Sequence, residues 1–157
     1  EIASCLVGSE MCIRDSNNIV KDIIKQKKEE LILAEKAESV AIWLQIEAIS
    51  KQISCSNKDL QEAIKVSCSY GRIKYQLIEQ MWKLMLLNEH YQSKKIIDKK
   101  QILQIIQKYD QLWKEWKQLK DSNIYCATIY TDLAFLNQEK GSIKELVNLW
   151  RYRLTIK

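Results

Sequence analysis

Three carboxylate pairings stand out first as candidate chemistry: Glu29-Glu30, Glu35 with Glu38, and Asp110 with Glu115. General acid–base work needs two carboxylates held across a cleft in contrasting environments. These six sit among lysines on helix faces that the sequence pattern predicts to be exposed, which marks a solvated surface instead. The single histidine, His90, falls at a predicted helix end, where the helix dipole favours its positive form. No cysteine or serine with a partner acid stands near it. Cys126, inside Tyr-Cys-Ala-Thr, could be read as a nucleophile, but free cysteines commonly serve as small buried hydrophobes. The more suggestive group is aromatic: Trp113, Trp116, Tyr125 and Tyr130, with Asp132 beside them. Flat rings can stack on sugars while a phenol and a carboxylate bond sugar hydroxyls. In the alternative, Trp113 and Trp116 fill a helix core. Tyr125, Tyr130 and Asp132 lie in a predicted loop, where contact residues concentrate. No glycine-rich phosphate loop and no metal-ligand spacing occurs, so no cofactor or metal is expected and no catalytic residue is assigned.

The elements that must position these residues begin after a foreign-looking start. Leu6–Ser16, LVGSEMCIRDS, has no helical or strand period. In one reading frame it is similar, codon by codon, to the adapter ligated by transposases in sequencing libraries. Residues 1–16 are therefore expected to be a disordered, non-native tail, and residues 17–157 a helical domain that is a fragment of a larger protein. The whole chain carries 25 basic and 20 acidic residues; the tail holds Arg14 against Glu1, Glu10 and Asp15, so residues 17–157 have a net charge of +7. Lysines and glutamates are interspersed and not gathered on one face, which argues against a nucleic-acid partner. Beyond the tail only Cys55, Cys68 and Cys126 remain, an odd set without paired spacing that favours a reducing, cytoplasmic compartment. The apolar runs fall far short of the roughly 20 residues of a membrane span, so no membrane partner is expected.

Proline is absent, and beyond the tail glycine occurs only at Gly71 and Gly141. Turns that need positive φ have almost nothing to supply it, which argues against strand-and-turn architectures. Apolar residues recur at three and four from Ile19 to Ile53, as one helix or as two joined near the charged run KQKKEE at 25–30. Ala34, Ala37, Ala41 and Ala48 there would let a neighbouring helix come close. Ser54–Asn57 breaks the pattern, with Ser56 or Asn57 able to cap the next helix. That second helix, about 58–90, carries Leu60, Ile64, Cys68, Gly71, Tyr75, Ile78, Trp82 and Met85 on one face. A glycine inside a helix costs about 1 kcal/mol against alanine, so Gly71 points to close approach by a neighbour. A third helix, about 98–120, has the cleanest stripe: Ile102, Ile105, Tyr109, Leu112, Trp116 and Leu119, widened by Leu103, Ile106 and Trp113. After an aromatic, β-branched loop, Ser142 and Glu145 form a capping box for a short helix burying Ile143, Leu146, Val147 and Trp150. The expected fold is all-α: an antiparallel helical bundle of three long helices and one short C-terminal helix.

Three tracts, YGRIKYQLIEQMWKLMLL (70–87), YDQLWKEWKQLKDSNIYCATIYTDLAF (109–135) and GSIKELVNLWR (141–151), resemble the helical C-terminal region of bacterial β-N-acetylhexosaminidase-like enzymes of glycoside hydrolase family 20. In such enzymes a (β/α)₈ barrel supplies an adjacent Asp-Glu pair and the chemistry is substrate-assisted. This chain has no Asp-Glu dipeptide and no alternating strand–helix pattern, so no catalytic residue carries over. The resemblance implies an accessory helical domain that packs on a catalytic domain of the same parent chain, with carbohydrate as a possible contact of its loop. The competing expectation is a free-standing helical interaction module that receives a partner helix in its grooves.

Overall fold

A computed structural model of the chain describes residues 22–23, 26–94, 98–121 and 143–155. Residues 1–16, expected to be a non-native tail, and residues 122–142, with the predicted loop and the Ser142 end of the capping box, lie outside the described residues. Within them the fold is all-α, with four helices and no strand: α1 Glu29–Ser50, α2 Lys58–Lys94, α3 Lys99–Asp121 and α4 Ile143–Thr155.

Local chemistry sets the starts. The first segment breaks at Lys27–Lys28, inside the charged run. Lysines are unfavourable at the positive end of a helix, whereas Glu29 and Glu30 in the first turn of α1 complement it. Between Asn57 and Ser56, Asn57 is the cap: its Oδ1 accepts the Leu60 N–H at 3.0 Å. Asp98 does the same for the Gln101 N–H, also at 3.0 Å, and opens α3.

Side-chain pairs fix the directions. Glu29 meets His90 and Glu47 meets Ser69, so α1 and α2 are antiparallel. Glu115 meets Arg72, and Tyr70 packs on Trp116 at the far end from the α2–α3 connection. Trp150 reaches Leu84 and Arg153 reaches Asn88, which sets α4 parallel to α2 and antiparallel to α3. The bundle therefore runs up, down, up, down, with α2 at its centre. The main core forms where α2, α3 and α4 converge, on Ile73, Leu77, Leu84, Ile102, Leu112 and Trp150. A smaller cluster joins α1 to α2 through Ile32 and Trp82, flanked by Ile78 and Met85.

The expected stripe on α2 is only half of what that helix buries. Gly71, Tyr75, Ile78 and Trp82 turn towards α1, while Val66, Tyr70, Ile73, Leu77 and Leu84 are buried too. A central helix needs two apolar faces, and the sequence pattern suggests one. Leu60, expected on that stripe, is exposed, and so is Leu103 of α3, because α4 covers the Ile102–Ile106 side instead. The alanines of α1 also depart from expectation. No described helix lies on them: α1 meets α2 through Ile32, Val40, Trp43, Glu47 and Ser50, and Ala34, Ala37, Ala41 and Ala48 are exposed.

Gly71 has the reason its position suggested. A methyl group there would overlap Cζ3, Cε3 and Cη2 of Trp43, whose ring stacks on Tyr75 at a centroid distance of 5.4 Å. Gly71→Ala is expected to lower stability by about 1–2 kcal/mol, because displacing a packed ring outweighs the roughly 1 kcal/mol gained in helix propensity. Thermal unfolding checks it through a sign change. In a Trp43→Ala background the same substitution should stabilise by about 1 kcal/mol, and a loss in both backgrounds would refute the contact.

Candidate functional site

Arg72 is the most buried cation in the described part, and it ties three helices together. Its Nη groups donate to Glu115 of α3, and Nη1 also donates to Gln76 at 2.8 Å. Its Nε lies 2.9 Å from Glu47 Oε2 of α1, an ion-pair contact without a directed hydrogen bond. Ser69 donates to the other oxygen, Oε1, at 2.7 Å. Burial pushes the Glu47 carboxyl up, but the Ser69 hydrogen bond and the Arg72 charge outweigh it and hold the group below its ordinary value. Burial likewise pulls Arg72 down, and Glu115 and Glu47 more than reverse it. Both groups are held in their charged forms by fixed partners. That suits a strut better than an acid or base, which must exchange protons near neutrality.

None of the carboxylate pairings forms a facing pair. Glu30, Glu35, Glu38 and Asp110 are exposed; Glu29 is engaged by His90 at 2.7 Å, Glu35 by Lys27 at 2.6 Å and Asp110 by Arg151 at 2.6 Å. His90 lies one turn inside the end of α2 and bridges back to the start of α1. Trp116 is buried against Tyr70, so its ring is occupied by the core. Trp113 is half-buried and stacked on Tyr109 at 6.1 Å. Burial, with the neighbouring Asp110 charge, pushes the Tyr109 phenol up to about 12, which leaves it neutral at physiological pH. Tyr125, Tyr130, Asp132 and Cys126 lie outside the described residues. Among the described residues no cluster of His, Cys, Asp or Glu could hold a metal ion, and no helix is long and apolar enough to cross a membrane.

The feature that stands out among the described residues is the outer side of α1. Its alanines, leucines, glutamates and lysines are good helix formers, so the helix forms readily, but its apolar residues are spread around it and not gathered on one face. A helix of that kind belongs between neighbours, yet among the described residues α2 covers one side of it and no other helix packs on the rest. Leu31, Ile42, Ile46 and Ile49 fall along one outward line, and Ile49 is 60 % exposed. Ile53 and Leu60, in and just after the α1–α2 connection, are exposed as well. Single exposed aliphatics are ordinary on a protein surface, whereas an aligned set on one helix makes this face the candidate contact surface of the described residues. Sequence periodicity missed it because exposure depends on which helices surround α1. The one signal in the residues was the absence of a clean polar face from 40 to 49.

No family model matches the chain, and comparison with curated proteins and with solved structures likewise finds no match.

Proposed function

We propose that this chain is a helical accessory domain that acts by docking, with the isoleucine line of α1 as the surface it presents. The observation that carries this is the aligned exposure of Leu31, Ile42, Ile46 and Ile49 on a helix covered on one side. The resemblance of residues 70–87, 109–135 and 141–151 to a hydrolase C-terminal region supplies the occupant: a catalytic domain of the same parent chain, acting on carbohydrate. On this reading the chemistry belongs to that domain, and this one stabilises it from the side.

Two measurements test it. The source locus upstream of Asn17 should encode a (β/α)₈ barrel with an Asp-Glu pair; a start codon immediately before Asn18 would sink the hydrolase reading and leave a free-standing helical module. In the parent enzyme, Ile42→Lys with Ile49→Lys should release the helical domain to limited proteolysis at least about tenfold faster, since each lysine places a charge in a dry contact. Unchanged digestion would remove the isoleucine line from the interface.

A further inference from the structure

A second line runs along α1, apart from the isoleucines. Glu30, Ala34, Ala37, Ala41, Leu44, Ala48 and Lys51 succeed one another at spacings of four and three, and all are exposed. Such spacing is the seam of a two-helix coil. Lys51 stands at the C-cap but keeps helical angles, φ −68° and ψ −21°, so it continues the line. Ala41 is nine residues, or two and a half turns, from both Ile32 and Ser50, which are buried on the α2 side. Ala41 therefore points away from Ile32 and Ser50, and the seam runs along an exposed flank of α1 whose Lys51 end comes round towards Glu47.

Its order of side chains is its own complement when reversed. Turned end for end about Ala41, the seam sets Ala41 on Ala41 and Ala34 level with Ala48, and brings Ala37 to Leu44 and Glu30 to Lys51 with an offset of one residue, about 1.5 Å. Large faces small, and acid faces base, at both ends. A parallel pairing would instead oppose Glu30 to Glu30 and Lys51 to Lys51 and crowd Leu44 against Leu44. We infer that the chain self-associates as a two-fold antiparallel pair through this seam, the occupant being a second copy of α1. Alanines at the contact allow the axes to approach at the short end of the roughly 8–10 Å range for packed helices. The interface is isologous and closes at two copies. It goes beyond the docking assigned to the isoleucine line, which lies on a different side of α1 and stays open in the pair.

Sedimentation velocity of the full chain, under reducing conditions and at about 50 mM salt, is the test; low salt keeps the end pairs unscreened. A monomer–dimer equilibrium is expected between about 1 and 100 µM. Ala41→Arg, on the two-fold axis, should weaken it at least about thirtyfold without moving the melting point of the dilute monomer. Glu30→Lys and Lys51→Glu should each weaken it several-fold. An equimolar mixture of those two variants should restore it, because the two introduced charges face each other at one end and the native pair remains at the other. Lys51 also lies 3.5 Å from Glu47, and the mixture separates the two effects: a chain that merely folds poorly is not rescued by mixing. Ile42→Lys with Ile49→Lys should leave the dimer intact, so loss of docking and loss of pairing are distinguishable. A monomer throughout the range, a dimer indifferent to Ala41→Arg, or a mixture that fails to recover would each overturn the proposal.

Discussion

Replacing Trp150 with alanine is expected to lower stability by about 3–5 kcal/mol, the usual range for emptying a buried tryptophan site. Trp150 is 0 % exposed and is the largest fully buried side chain of the core. Its indole N–H donates to the Leu84 carbonyl at 3.3 Å, and Tyr91 packs edge-on at 5.9 Å. The guanidinium of Arg153, 4.8 Å from the Trp150 ring and 4.6 Å from that of Tyr91, donates to Asn88 at 2.6 Å. Trp150 thus ties α4 to α2, beside Ile143, Leu146 and Val147 in the same core. A domain of this size has roughly 5–15 kcal/mol to lose, so the variant should be marginal at 37 °C. Calorimetry measures the loss. Hydrogen exchange should show α4 opening first, while Trp150→Phe keeps most of the burial and should forfeit less than half as much. An alanine variant within 1 kcal/mol of the parent would mean that α4 is not part of the cooperative core.

The second large effect concerns Arg72. Arg72→Met removes the cation but keeps the apolar stem, and at pH 7 it is expected to be destabilised by about 3–5 kcal/mol, since it leaves Glu47 charged and buried with Ser69 and a loose Lys51 contact. Glu115, more exposed, turns to water at little cost. The pH dependence carries a sign that simple loss of packing would not give. In the parent chain the Glu47 carboxyl is held below its unfolded value near 4.3. Its contribution to stability is therefore fully present above that pH and is lost as pH falls through the lower folded value. Without Arg72 the Ser69 hydrogen bond and the Lys51 charge are left to oppose the burial penalty on Glu47, and its folded value moves up. The stability gap between parent and variant should then narrow steadily as pH drops from 7 to 4 in denaturant titrations. A second variant, Glu47→Leu with Arg72→Met, should recover most of the loss at pH 7, because a well-packed apolar pair commonly replaces a buried ion pair without penalty. A gap that is constant with pH would show that Arg72 acts through packing alone.

Parts of this were legible in the residues. The break at Ser54–Asn57, the start of α3 at Asp98, the inward face of α4 and the close approach at Gly71 come from caps, spacing and a costly glycine. Each is a local matter, decided within a turn or two of helix. The stripe of α3 was legible for the same reason: that helix buries one side, and one side is what a period of 3.6 reports. Glu47 and Arg72 were not legible, because 25 positions of sequence separate two charges that look like any others in a lysine- and glutamate-rich chain. Their importance comes only from being enclosed together.

The sequence by itself determined the four helices and their all-α class, with the end of α2 read a turn short and the start of α1 left open, since absent proline, scarce glycine and steady apolar spacing leave no other economical backbone. The tertiary structure alone decided which helix sits at the centre. That choice gives α2 two buried faces and leaves α1 with an apolar side and an alanine seam facing outward. Periodicity records that a face is apolar; what covers it depends on residues far along the chain, or on another molecule.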